Sequence, residues 1–178
     1  SDDQKLKVET NELLKDLIEQ IAFEARQSEY IDHKSGVSAR LTISAYENLI
    51  STAERRMILN SETYSYARIS DLYGVIPSIT GKIELVYEGE QEGPSKVAHI
   101  IIGKAIKSSF EKYFPTPESF KKNKENNPYN ALINWFGKGN TVDIFNGIRD
   151  SDYDKTFKQV PGIKEIVKKY IKNTDDKS

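Results

Sequence analysis

Leu13-Leu14-Lys15-Asp16-Leu17-Ile18-Glu19-Gln20-Ile21-Ala22-Phe23-Glu24-Ala25 decides the fold class. Leu13, Leu14, Leu17, Ile18, Ile21 and Ala25 recur at three- and four-residue spacing, with Lys15, Asp16, Glu19 and Gln20 largely off that stripe. The spacing predicts an amphipathic helix. The same period returns further on. A second helix is signalled by Thr42 and by Ser44 with Glu47 three residues on, a capping-box spacing, with Arg40 and Leu41 as candidates for its first turn. Its expected buried stripe is Leu49, Ile50, Ala53 and Met57. Between these helices Ser35-Gly36 interrupts the pattern and predicts a turn.

From about Ala67 to Leu85, Ile69, Leu72, Tyr73, Ile76 and Ile79 predict a third helix, bent or broken near Pro77. Glu88 to Pro94 reads as a polar connector. Pro94 then suits the first turn of a long helix bearing Val97, Ile101, Ala105, Ile106, Phe110 and Tyr113, which should stop before Pro115. From Thr116 the composition changes: Pro117, Pro128 and the polar run Lys121 to Asn127 mark a module boundary and one short helix capped by Thr116. Tyr129 to Phe136 and Gly162 to Ile171 read as helices, and Thr174 to Ser178 as a fraying end. Few stretches alternate with period two. The expected class is mainly α, as a bundle over residues 1–115 followed by a helical extension over residues 116–178.

Composition narrows the function. The 178 residues are 37% hydrophobic and carry 26 Lys and Arg against 27 Asp and Glu, enough apolar material for a folded core. With a net charge of −1 and lysines interleaved with glutamates, the chain lacks the basic footprint of a phosphate-neutralising surface. The absence of cysteine removes disulfides, thiolate nucleophiles and sulfur-ligated metals, and allows a cytoplasmic setting. No apolar run is long enough to span a bilayer, and Ser1-Asp2-Asp3-Gln4 lacks the basic and apolar regions of a signal peptide. No membrane partner is expected.

Several motifs fail on their mechanics. Gly103-Lys104-Ala105 is no phosphate-binding loop, because Ala98 occupies the first glycine position and Ala105 replaces the magnesium-binding hydroxyl. Gly137-Lys138-Gly139-Asn140 is a turn signal. Asp150, Asp152 and Asp154 imitate the start of a calcium loop, but Lys155 stands where glycine is needed and Pro161 replaces the bidentate glutamate. They read as a helix cap or solvated turn. Asp32, His33 and Ser35 are too close along the chain to aim at one another as a catalytic triad, and His99 should flank a helix face. Glu88, Glu90 and Glu92 fit a solvated connector. Trp135-Phe136 and the ten tyrosines could stack on single-stranded nucleic acid but lack a cationic groove, so packing is the stronger explanation. Arg40 differs: it follows a turn and enters an amphipathic helix, where a guanidinium can reach an anion, although a surface salt bridge also suits that position.

The run Ser35-Gly-Val-Ser-Ala-Arg-Leu-Thr-Ile-Ser-Ala-Tyr-Glu-Asn-Leu-Ile-Ser-Thr-Ala-Glu-Arg-Arg56, then Arg68-Ile-Ser-Asp-Leu-Tyr73 and Gly81-Lys-Ile-Glu-Leu-Val-Tyr-Glu-Gly-Glu90, resembles the C-terminal part of AAA+ ATPases of the magnesium-chelatase subunit I-like, sigma-54-interaction-domain-like type. The resemblance is sharp from Tyr30 to Pro115 and weaker from Trp135 to Tyr170. It implies a small helical lid that follows a nucleotide-binding core. It also implies that Arg40 is the sensor 2 arginine, both the catalytic residue and the ATP contact, acting within its own subunit or across a subunit boundary. Arg55 and Arg56 would be structural or intersubunit. The chain has no Walker A, Walker B or sensor 1 segment, so the resemblance makes it a lid fragment that cannot hydrolyse ATP alone. ATP and Mg2+ would be cofactors of the full-length parent, a ring-forming homo-oligomer acting on a protein substrate. No metal ligand is assigned to this chain. The alternative is a freestanding helical adaptor that binds protein or nucleic acid through its aromatic tail.

Overall fold

A computed structural model describes residues 7–34, 37–121 and 124–171. The turn expected at Ser35-Gly36 and the fraying expected from Thr174 to Ser178 lie outside the described residues. The protein is mainly helical, with eight α-helices and one pair of three-residue strands among the described residues. None of these helices is long and apolar enough to cross a membrane. The chain divides into two compact units, Ser1–Ser109 and Phe110–Ser178. That division falls inside a helix, a few residues before the composition change at Thr116.

In the first unit, α1 (Glu12–Gln27) starts where the Asn11 side chain accepts a hydrogen bond from the Leu14 amide at 2.9 Å. It buries Leu14, Leu17, Ile18, Ile21, Ala22 and Ala25, close to the predicted stripe. α2 (Arg40–Leu59) buries Leu41, Ala45, Leu49, Ala53, Arg56 and Met57, whereas Ile50 is only half-buried. The helix begins four residues before Ser44, so Ser44 and Glu47 lie within it and form no capping box. Instead the Ser38 hydroxyl accepts from the Arg40 amide at 3.2 Å and the Thr42 hydroxyl donates to the Ala39 carbonyl at 3.3 Å. The parallel strands β1 (Lys7–Glu9) and β2 (Tyr64–Tyr66) pair with Val8 opposite Ser65.

The predicted third helix is a correction. Residues Ile69–Val75 form a 3-10 turn and only Ile76–Thr80 is α-helical (α3), with Pro77 in its first turn, where the missing N–H costs nothing. The Asp71 carboxylate accepts the Arg68 amide at 2.8 Å and so starts the tighter turn. Gly74 lies so close to the Thr52 hydroxyl that a β-carbon there would collide with it. Beyond α3, the Asp32 amide donates to the Glu84 carbonyl and the Val86 amide to the Tyr30 carbonyl, at 2.8 and 3.1 Å, which draws this segment into an extended bridge with Ile31. The expected connector is a second correction: Tyr87–Glu92 is helical (α4), seated where Gly89 lets it approach the Tyr30 carbonyl. Glu92 pairs with Lys96. α5 (Pro94–Tyr113) has the predicted bounds and closes the core with Val97, Ala98, Ile101, Ile102 and Ala105.

The second unit begins with the last turn of α5 and continues through a 3-10 turn at Pro117–Phe120, with Thr116 as its N-cap residue. α6 (Asn130–Gly137), α7 (Asp150–Lys158) and α8 (Ile163–Tyr170) follow. α7 is a helix where only a cap or acidic turn was expected. The buried hydrophobic residues of this unit are Tyr129, Ile148, Val160 and Ile166, and the Tyr129 hydroxyl donates to the Pro115 carbonyl at 2.7 Å. Phe110 stacks on Phe114, whose ring meets Tyr170 edge-on.

Candidate functional site

Arg40 is the first residue of α2 and its side chain is exposed. Its neighbour Leu41 is fully buried, as are Ala45 and Leu49 further along, so the helix end that carries the guanidinium is anchored while the guanidinium itself faces outward. No described residue pairs with that side chain. The first turn of α2 holds no acidic residue. The helix dipole already places positive potential there, and a cation on the first residue adds to it, at a cost of about 0.3–1 kcal/mol unless an anion is nearby. The Arg40 and Leu41 amides are taken by Ser38, so the guanidinium is the group at this end suited to an anion.

Arg56 is the opposite case. It is 2% exposed, and its Nη2 lies 3.0 Å from Oδ2 of Asp71, which is wholly buried. Nε donates to Asp71 Oδ1 at 3.3 Å, Nη1 to the Ser65 hydroxyl at 2.9 Å and Nη2 to the Tyr66 carbonyl at 2.6 Å. One guanidinium thus ties α2 to β2 and to the following 3-10 turn, as a bidentate fork can. The 16-residue step from Arg40 to Arg56 spans about 24 Å of helix. Arg56 is structural and takes no part in a site at Arg40. Arg55 is exposed. The partner Asp71 was missed from sequence, although its place three residues after Arg68 is a turn-capping signal.

The remaining candidates disperse. His33 is exposed beside Asp32, whose carboxylate accepts the Lys34 amide at 2.8 Å, and Ser35 lies outside the described residues. His99 is on the outer face of α5, with Nδ1 2.7 Å from the Ser95 carbonyl and its ring 5.9 Å from that of Tyr73. Gly103, Lys104 and Ala105 lie within α5. Lys138 caps α6, and Gly139 takes a positive φ of 85° in the turn that follows. Asp150 and Asp152 sit in the first turn of α7, where the helix dipole favours them, and Asp152 pairs with Lys155 at 3.1 Å. Among the described residues no three His, Asp or Glu side chains gather to hold a metal ion.

A cleft of about 510 Å³ is lined by Thr80, Ile83, Glu84, Leu85, Glu90 and Pro94. Its two carboxylates repel phosphate, and Arg40 does not line it. Elsewhere, the hydrogen bond from Lys7 to Glu9 pushes the lysine pKa up, and contacts with Tyr66 and Glu9 hold the Tyr64 phenol well above its ordinary value. Both belong to an exposed ion-pair cluster on the strands. Comparison of the chain with protein families, with curated proteins and with solved structures finds no match.

Proposed function

We propose that the first unit is the helical lid of an AAA+ ATPase of the magnesium-chelatase subunit I-like type, and that Arg40 is its sensor 2 arginine. The observation that carries this reading is the exposed guanidinium on the first residue of α2, where no described residue neutralises it and no acidic side chain shares the first turn. An arginine placed there can stabilise the charge that spreads over a transferring phosphoryl group, and the rigid helix behind it can convert the loss of that contact into lid movement. ATP would supply the phosphoryl group, and Mg2+ would be held by the nucleotide-binding core rather than by this chain. Ring assembly and a remodelled protein substrate belong to the same proposal.

The test is Arg40→Ala in a polypeptide that carries both the core and this unit. Turnover should fall by about 10²-fold or more, as for loss of one transition-state donor, with nucleotide affinity changed far less. Unchanged turnover refutes the assignment. The competing reading, an adaptor that binds protein or nucleic acid through its aromatic tail, predicts retention on nucleic acid that falls with salt and is lost in Trp135→Ala.

A further inference from the structure

The extended segment between α3 and α4 uses one edge of its backbone and leaves the other open. Leu85 bridges Ile31 in antiparallel fashion, with the Asp32 amide bonded to the Glu84 carbonyl at 2.8 Å and the Val86 amide to the Tyr30 carbonyl at 3.1 Å. Because the residues on both sides of Leu85 bond to this neighbour, the N–H and C=O of Leu85 itself point to the opposite edge. Among the described residues, neither Leu85 nor Ile83 has a backbone hydrogen-bond partner. The 510 Å³ cleft lies along that open edge. Glu84 and Leu85, which an extended chain turns to opposite faces, both line it, as does Ile83, while residues 30–32 on the other edge do not. Thr80 at the end of α3, Glu90 of α4 and Pro94 at the start of α5 complete the lining.

We propose that this cleft takes an extended segment of a partner protein in which lysine or arginine alternates with apolar residues. The open backbone selects an extended chain, since an added strand supplies the missing partners of Leu85 through its own N–H and C=O groups. Charge selects a basic one. From Ile83 to Gly93 the chain holds four glutamates and no lysine or arginine. Glu92 is paired with Lys96, whereas Glu84 and Glu90 are exposed and no described residue pairs with their carboxylates. The alternation follows from strand pairing, in which residues directly opposite share a face. A cation opposite Glu84 therefore has neighbours that fall against Ile83 and Leu85, both half-buried. Nucleic acid is repelled by the same carboxylates. This site stands apart from Arg40 and does not rest on the lid reading.

The test titrates the chain into a dye-labelled heptapeptide of alternating lysine and valine, read by fluorescence anisotropy. Binding should show a Kd of about 100 µM or tighter and weaken as salt rises. Glu84→Gln and Glu90→Gln, both at exposed positions, should keep the helical circular dichroism and each weaken binding about two- to fivefold, as loss of an exposed ion pair does. Methylating the lysine backbone nitrogens, or the valine ones, leaves every charge in place. One of the two sets faces Leu85, so at least one methylated form should bind about fivefold more weakly or worse. A peptide that fails to bind at about 1 mM overturns the proposal. So does binding unchanged in the double variant Glu84→Gln with Glu90→Gln, or an alternating glutamate and valine peptide that binds equally well. If both methylated forms bind like the parent peptide, the attraction is one of charge alone and the proposed strand is refuted.

Discussion

Replacing Arg56 by methionine should be among the most damaging single changes to the first unit, although the residue performs no chemistry. The guanidinium donates to both oxygens of Asp71, to Ser65 and to the Tyr66 carbonyl. Methionine fills much of the space but leaves the wholly buried Asp71 carboxylate facing a thioether, with the Arg68 amide as a remaining donor. Removing one partner of a buried pair costs about 3–5 kcal/mol, because the other charge is left without compensation. In a unit of this size that is a fall of about 12–25 °C in Tm, measured by far-ultraviolet circular dichroism with urea titrations in parallel. The loss is a large share of a typical domain's stability, so the discriminating variant is the double substitution Arg56→Met with Asp71→Leu, which removes both charges. It should recover at least half of the loss, since a buried pair is worth little more than the apolar side chains that replace it. Arg40→Ala is the control, within about 0.5 kcal/mol of wild type because its side chain is exposed. A loss below 1 kcal/mol in Arg56→Met, or a double variant no better than the single one, would refute the reasoning.

Gly74→Ala should destabilise by about 1–3 kcal/mol through collision with the Thr52 side chain, and adding Thr52→Ala should return only part of that in urea melts, because the Thr52 β-carbon, 2.9 Å from the new one, remains. Ser61 holds φ at 57° just after α2, so Ser61→Gly should stabilise by about 0.5–1 kcal/mol, the left-handed strain relieved less the added unfolded-state entropy. Burial, with Tyr170 nearby, raises the pKa of the Tyr129 phenol above 10.0. The unfolded chain therefore ionises first as pH rises past that value, and the stability tied to the retained proton drains away through the native pKa. Tyr129→Phe should flatten this alkaline fall in urea midpoints read from Trp135 fluorescence, while costing about 0.5–1.5 kcal/mol at neutral pH for the lost bond to Pro115.

The elements that were legible in the sequence are those whose own periodicity supplies their burial. α1 and α5 are long and amphipathic, and the bounds of α5 follow from Pro94 and the stop before Pro115. Arg40 was legible as a helix-entry cation because the apolar stripe behind it is regular. What stood hidden depends on partners far along the chain. Nothing local in Tyr64–Tyr66 announces a strand; it pairs because β1 arrives from the opposite end of the unit. Residues 67–85 carry a helical period, but Asp71 is held by Arg56 and Gly74 by Thr52, and those contacts impose a tighter turn. α4 forms on an acidic run because Gly89 can touch the Tyr30 carbonyl. Of the two candidate arginines, the sequence marked both as helical, while only the tertiary contacts bury Arg56 and leave Arg40 in water. Helical period is a property of neighbouring residues. Whether a charged side chain is neutralised depends on which distant segment folds against it, and no window of sequence contains both.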